Sequence, residues 1–330
     1  MSLPVDSANV RNIKVALAPD PAQLAEARGL GELDPQITER FKQAITDAGA
    51  QLVPLPEADG LIWLNIGDAS ALQAQLATRP DLKWVQLPWA GVETFAATEL
   101  PRHGAAFTCA KASYGEQVGE HALVLALTCL RNVAAQARQD AWHPLEPRSL
   151  FRKRVTVVGA GGIAQTLISL LGPFDASVTV VRRSPEPVAG AARTVTTGDL
   201  STVLPETDVL VLALALTPAS RGLISERELA LLPEGSIVVN VARGEHIDTE
   251  ALTAALREGR VSAAGLDVTA PEPLPADHPL WKMDNVFISS HCADSLEFVT
   301  DKLIERTVEN IECLRNGHPL VGQVNWTFGY

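Results

Sequence analysis

Arg154-Val155-Thr156-Val157-Val158-Gly159-Ala160-Gly161-Gly162-Ile163-Ala164 is the stretch that decides the fold. The run rich in β-branched residues reads as a buried strand, and it passes without a spacer into glycine. From about Ile163 to Leu171 the pattern turns helical. Gly159 permits a tight strand-to-helix turn, Gly161 lets backbone approach a pyrophosphate, and Ala164 keeps the third position small enough for helix and sheet to pack. A Gly-x-Gly-x-x-Ala match alone is weak, but a strand before it and a helix after it make this a dinucleotide-binding turn. The helix N-terminus adds free N–H groups and the positive end of its dipole.

The next strand, Ser177 to Val181, ends in Arg182-Arg183-Ser184. An NAD-binding turn usually carries Asp or Glu here, about twenty residues past the glycines, for the ribose 2′-hydroxyl. Two guanidinium groups would instead pair with a 2′-phosphate. Arg182 and Arg183 thus favour NADP(H), with NAD(H) as the alternative. Downstream, strands are expected at Asp208–Leu214, Ser236–Val241, Val261–Val268 and Val286–Ser289. Ser225 and Glu228 form a capping box for one helix, and Asp248 caps another that stops at Gly259.

Upstream lies a second α/β series. Ile13–Leu17, Leu61–Leu64 and Leu82–Leu87 read as strands, and Pro35–Ala48 as a helix closed by Gly49. Leu82–Leu87 leads into the loop Pro88-Trp89-Ala90-Gly91-Val92. A long helix, about Glu116 to Arg131, is apolar on most faces and is expected to be buried between domains or subunits. Ala141 to Lys153 has no periodicity and reads as a connection. The alternation predicts an α/β protein with mostly parallel sheets covered on both faces.

The 330 residues suit two domains. A net charge of −12 argues against a nucleic-acid partner, which needs a basic face. No apolar run is long enough to span a membrane, and Met1 to Lys14 does not resemble a signal peptide. Cys109, Cys129, Cys292 and Cys313 form no Cys-x-x-Cys pair, and the seven histidines show no metal-ligand spacing. The expectation is a cytoplasmic protein with reduced thiols and no metal.

Three residues at the carboxyl ends of the last strands stand out: Arg243, Glu272 and His291. In a doubly wound sheet such ends face the cofactor crevice. Reducing a 2-keto acid by hydride needs a cation for the carboxylate and ketone, a proton donor, and a carboxylate that supports the donor. Arginine offers a planar bidentate fork, histidine a proton near neutral pH, and glutamate the supporting charge.

Val239-Asn240-Val241-Ala242-Arg243-Gly244, Ala264-Gly265-Leu266-Asp267-Val268-Thr269-Ala270-Pro271-Glu272-Pro273, His278-Pro279-Leu280-Trp281 and Ser290-His291-Cys292-Ala293 together resemble the signatures of D-isomer-specific 2-hydroxyacid dehydrogenases. Leu87-Pro88-Trp89-Ala90-Gly91-Val92 is similar to that family's substrate loop, with Glu93 where Asp is usual. The likeness runs from about Leu82 to the C-terminus. It implies two Rossmann-like doubly wound domains: a discontinuous substrate domain, 1–111 and 293–330, with the cofactor domain, 112–292, inserted. It implies Arg243 as the polarising residue, His291 as general acid/base and Glu272 as its partner. It places Gly162 and Ile163 on the pyrophosphate, Val241, Ala242 and Arg243 around the nicotinamide, and Asp267 as the residue that binds the nicotinamide end. The backbone of Ala90, Gly91 and Val92 would hold the substrate carboxylate as an anion nest. Homodimers are common in the family.

Glyoxylate or hydroxypyruvate is the first substrate expectation, although Trp89 beside the nest would favour an apolar substituent. Glu272 stands where formate dehydrogenases carry glutamine, so formate oxidation is not expected. The rival readings are an NAD-dependent oxidative enzyme, including the phosphoglycerate type, and a non-catalytic nucleotide-sensing corepressor-like protein. No regulatory domain after Tyr330 weighs against the regulated phosphoglycerate type. Asp294, where glycine or serine is frequent, is read as neutral.

Overall fold

The structure, a computed structural model, describes residues 12–18, 35–64, 69–96 and 98–327. The chain divides into two compact units, Met1–Ser113 with Leu296–Tyr330, and Tyr114–Ser295.

In the first unit the chain runs β1 (Lys14–Ala18), α1 (Pro35–Asp47), β2 (Gln51–Leu52), β3 (Gly60–Trp63), α2 (Ala69–Ala77), β4 (Trp84–Gln86), α3 (Glu93–Ala96) and β5 (Ala106–Thr108). The five strands are all parallel, in the order β2-β1-β3-β4-β5. Apolar side chains from β3, β4 and their flanking helices, among them Leu61, Trp63, Leu72, Val85 and Phe95, form its core.

The second unit begins with α4 (Gly115–Leu130) and α5 (Val133–Ala137). It continues through β6 (Arg154–Val158), α6 (Gly162–Leu171), β7 (Ser177–Arg182), β8 (Arg193–Thr196), α7 (Leu200–Val203), β9 (Val209–Leu212), α8 (Glu226–Leu231), β10 (Ser236–Asn240), α9 (Thr249–Arg257), β11 (Val261–Leu266) and β12 (Val286–Ile288). Its seven strands are parallel in the order β12-β11-β10-β9-β6-β7-β8. The order reverses between β6 and β9, and that reversal creates the crevice where doubly wound sheets bind ligands. β9, β10, β11 and β12 stop one or two residues earlier than their hydrophobic runs, whereas β7 runs one residue further than expected, to Arg182. Asp208–Leu214, for example, pairs only over Val209–Leu212, because the chain leaves the ladder to build loops at the crevice.

The helix α4 is pinned inside the second unit by glycines. A Cβ at Gly115 would lie 2.9 Å from the backbone of Gly162, and one at Gly119 would lie 2.8 Å from Thr166. On the strand side, a Cβ at Gly265 would lie 2.9 Å from Leu125 Cβ. Small residues let the backbones of α4, α6 and β11 approach to a distance that larger ones would forbid.

A final helix, α10 (Leu296–Asn316), returns to the first unit, and hydropathy does not reveal it. Its buried face combines Val299, Leu303 and Ile311 with Thr300, Arg306, Thr307 and Asn310. Half of that stripe is polar, so the helical period is masked. Two of those polar groups are satisfied by the sheet and its edge: Asn310 Nδ2 donates to Gln86 Oε1 at 3.1 Å, and Arg306 Nη1 donates to the Cys109 carbonyl at 3.0 Å. Buried hydrogen bonds of this kind tolerate no other partner in low dielectric. β5 and β8 also escaped the pattern; the first has three residues and the second is a polar edge strand. The cysteines are free thiols. Among the described residues no helix is long and apolar enough to cross a membrane, and no group of three or more His, Cys, Asp and Glu could hold a metal ion.

Candidate active site

The glycine turn after β6 has the geometry that phosphate binding requires. Gly159 has φ of 119°, and a Cβ there would strike the Ala213 carbonyl oxygen at 2.0 Å, so the turn closes against the end of β9 only with glycine. A Cβ at Gly161, the N-cap of α6, would meet no atom within 4 Å. The approach to the start of α6 is therefore open at Gly161, which suits a pyrophosphate at a helix N-terminus. Ala164 is fully buried, as the third position of the motif demands. Arg182 ends β7, one step past the Val158–Val181 register pair, and so flanks the glycine turn. Its guanidinium lies 3.7 Å from Glu186 across an exposed, screened pair.

Arg243 follows β10 in a turn closed by Asn240. The Asn240 side chain accepts from Ala242 N–H at 3.0 Å and donates to the Arg243 carbonyl at 2.9 Å. Arg243 Nη1 donates to the Ala242 carbonyl at 2.7 Å. The next residue, Gly244, packs on the loop after β11: a Cβ there would lie 1.9 Å from the Thr269 carbonyl carbon. The loops bearing Arg243 and Glu272 are thus in direct backbone contact. Val241 and Ala242 are buried beneath them.

His291 follows β12. Its Nδ1 donates to Glu272 Oε1 at 2.6 Å, with the two side chains 49% and 41% exposed. That bond commits Nδ1 as the donor and leaves Nε2 as the ring's other proton-exchange position. Ser290 and His291 both have φ of 55°, a left-handed state costing on the order of 1 kcal/mol per non-glycine residue. Asp267 holds this turn. Its carbonyl accepts His291 N–H at 2.6 Å, and its Oδ1 accepts from Ser289 Oγ at 2.7 Å and Cys292 N–H at 2.9 Å. Burial works against the Asp267 charge, yet the hydrogen bonds from His121, Ser289 and Cys292 outweigh it and hold the carboxyl below the usual range. Burial pushes the nearby Asp294 carboxyl up; His291 opposes that rise and Asp267 adds to it.

Arg243, Glu272, His291, Asp267 and the glycine turn all stand at the crevice side of the second unit's sheet. Ala90, Gly91 and Val92 follow β4 in the first unit, where Val92 is fully buried and its carbonyl accepts Ala96 N–H at 2.8 Å. Sequence reading missed His121, whose Nε2 lies 2.8 Å from Ser289 Oγ. Its signal was a histidine inside the Glu116–Arg131 helix, which is apolar on most faces. Asp294 was read as neutral, yet its carboxyl is within electrostatic reach of His291.

Comparison with known proteins meets this geometry from outside. Residues 121–293 match the family model described as D-isomer specific 2-hydroxyacid dehydrogenase, NAD binding domain. The chain is 34% identical over 256 residues to an uncharacterized protein of Corynebacterium melassecola, covering 76% of this chain and 84% of that one. It is 29% identical over 267 residues to glyoxylate/hydroxypyruvate reductase A of Yersinia enterocolitica, covering 78% and 85%. A D-isomer specific 2-hydroxyacid dehydrogenase from Xanthobacter autotrophicus Py2, solved with NADPH and MES, superposes with a TM-score of 0.80 at 27% identity, covering 97% of this chain and 100% of that one. The chain belongs to the D-isomer-specific 2-hydroxyacid dehydrogenase family, oxidoreductases that act on CH–OH groups with NAD(P).

Proposed function

We propose that this protein reduces a small 2-keto acid, glyoxylate or hydroxypyruvate, to the 2-hydroxy acid at the expense of NADPH. The observation that carries the reading is the 2.6 Å bond from His291 Nδ1 to Glu272 in a loop that touches the Arg243 turn. Gly159, Gly161, Gly162 and Ile163 hold the cofactor pyrophosphate, and Arg182 and Arg183 its 2′-phosphate. Val241, Ala242 and Asp267 line the nicotinamide pocket. The bound reduced nicotinamide supplies a hydride. The backbone of Ala90, Gly91 and Val92 and the Arg243 guanidinium hold the substrate carboxylate, and Arg243 polarises the ketone. His291 Nε2 gives its proton to the carbonyl oxygen as charge develops there, while Glu272 keeps the ring oriented through Nδ1. In the oxidative direction the same Nε2 accepts the proton.

Residues 1–111 with 293–330 serve as the substrate domain and 112–292 as the cofactor domain. The protein acts as a homodimer in the cytoplasm. Support for self-association comes from apolar side chains left in water on the second unit: Trp142 is 96% exposed, and Val124 and Val133 are each 46% exposed. Free cysteines suit a reducing compartment.

The test is the oxidation of NADPH and of NADH against a panel of 2-keto acids, with His291→Ala beside the native chain. Turnover with NADPH well above NADH is expected. His291→Ala should lose about 10²- to 10⁴-fold in kcat while NADPH affinity changes little. Near-native turnover in the variant would remove His291 from the mechanism. Nucleotide binding without turnover of any keto acid would favour the non-catalytic reading, and a preference for NADH would favour the oxidative one.

A further inference from the structure

The left-handed turn at Ser290 and His291 persists only if its surroundings over-determine it. Asp267 grips it on both sides of His291, through the His291 N–H and the Cys292 N–H. Asp267 is itself held from α4. His121 Nε2 lies 2.8 Å from Ser289 Oγ and 3.5 Å from Asp267 Oδ1. The His121 side chain is 18% exposed and that of Asp267 only 3%. The Ser289 hydroxyl gives its one proton to the Asp267 carboxylate at 2.7 Å. Its oxygen is therefore an acceptor toward His121, and Nε2–H is the donor.

The other end of the same segment is tied to the same helix, since Ser295 N–H donates to Gln117 Oε1 at 2.8 Å. Gln117 and His121 are four residues apart and share one face of α4. Gly115 and Gly119, with the same spacing, seat the helix on the first turns of α6. One rigid helix thus touches both the pyrophosphate helix and the two ends of the segment that carries His291.

We propose that His121 is a positioning residue for His291: its Nε2–H, relayed through Ser289 and Asp267, holds the turn that keeps His291 Nδ1 on Glu272. The proposal rests on the reading of His291 as the proton donor and adds to it a residue that acts through Ser289 and Asp267. No motif marks the role, because it depends on a contact between residues 121 and 289.

The test compares His121→Phe, which keeps ring bulk without a donor, with His121→Gln, which keeps a donor, and with Ser289→Ala, which cuts the relay at its middle. Steady-state kinetics separate kcat from KM. Proton NMR follows the hydrogen-bonded Nδ1–H of His291, identified by its loss in His291→Ala. His121→Phe and Ser289→Ala should lower kcat about tenfold or more, with the KM for NADPH within about twofold. Both should shift or broaden the Nδ1–H resonance, and His121→Gln should restore most of the rate and the signal. Native kcat and an unmoved resonance in His121→Phe would overturn the proposal, as would equal losses in the Phe and Gln variants. If the native chain turns over no 2-keto acid, the functional reading fails by itself. The resonance then decides on His121: its displacement supports the positioning role, and its persistence in both His121→Phe and Ser289→Ala refutes it.

Discussion

Replacing Gly244 by alanine would ask whether the loops of Arg243 and Glu272 act as one rigid pair. The added Cβ would stand 1.9 Å from the Thr269 carbonyl carbon, 2.0 Å from its oxygen and 2.5 Å from Ala270 N, where ordinary contact begins at 3.4 Å. All three neighbours are backbone, so no side chain can rotate aside. The loops must part by roughly 1.5 Å to restore contact distances in a close-packed interior. Misplacing a positioned group by about 1 Å costs about 100-fold in rate, and overpacking of this sort costs about 1–3 kcal/mol of stability. Gly244→Ala should therefore lower kcat/KM for the keto acid about 100-fold and depress Tm by several degrees, while NADPH binding survives at the glycine turn. Gly104→Ala is the control, since a Cβ there meets nothing within 4 Å. The assays are loss of reduced-nicotinamide absorbance, thermal unfolding, and NADPH affinity by fluorescence. A Gly244→Ala enzyme within about threefold of native kcat/KM would refute the coupling of the two loops.

Replacing Arg182 and Arg183 together by alanine should lower the NADPH-to-NADH ratio of kcat/KM by at least about tenfold, the loss expected for a charge-assisted bond to phosphate; an unchanged ratio would move the 2′-phosphate site elsewhere. Asp294→Asn should raise Tm at neutral pH. Burial raises the folded carboxyl of Asp294 above its unfolded value, so its ionisation opposes folding as pH climbs through the folded value. The gain should vanish below the ordinary carboxylate range, and a Tm equal to native at neutral pH would show that the carboxyl costs the fold nothing. Trp142→Ser should shift sedimentation equilibrium from dimer toward monomer; a native chain that is already monomeric, or a variant that stays dimeric, would clear Trp142 of an interface role.

Local chemistry determined what could be read without coordinates. The strand and glycine turn from Arg154 to Ala164 announce themselves because strand, turn and helix are consecutive, and each residue's task is set by its immediate neighbours. The capping box of Ser225 and Glu228 and the cap at Asp248 were legible for the same reason, and both are present. Arg243, Glu272 and His291 could be picked out as candidates because each lies in the loop that follows a buried strand. The family resemblance implied the pairing of His291 with Glu272, but its geometry, Nδ1 to Oε1 at 2.6 Å between residues 19 apart, came only from the fold. The polar face of α10 hid from hydropathy, since its buried Asn310 and Arg306 are paid for by partners on the sheet more than 190 residues away. His121 was silent because a histidine in an apolar helix has no meaning until Ser289 is beside it, 168 residues along the chain. Periodicity reports on a residue's neighbours in sequence. Close packing and the pairing of buried polar groups, which decided the rest, are set by neighbours in space.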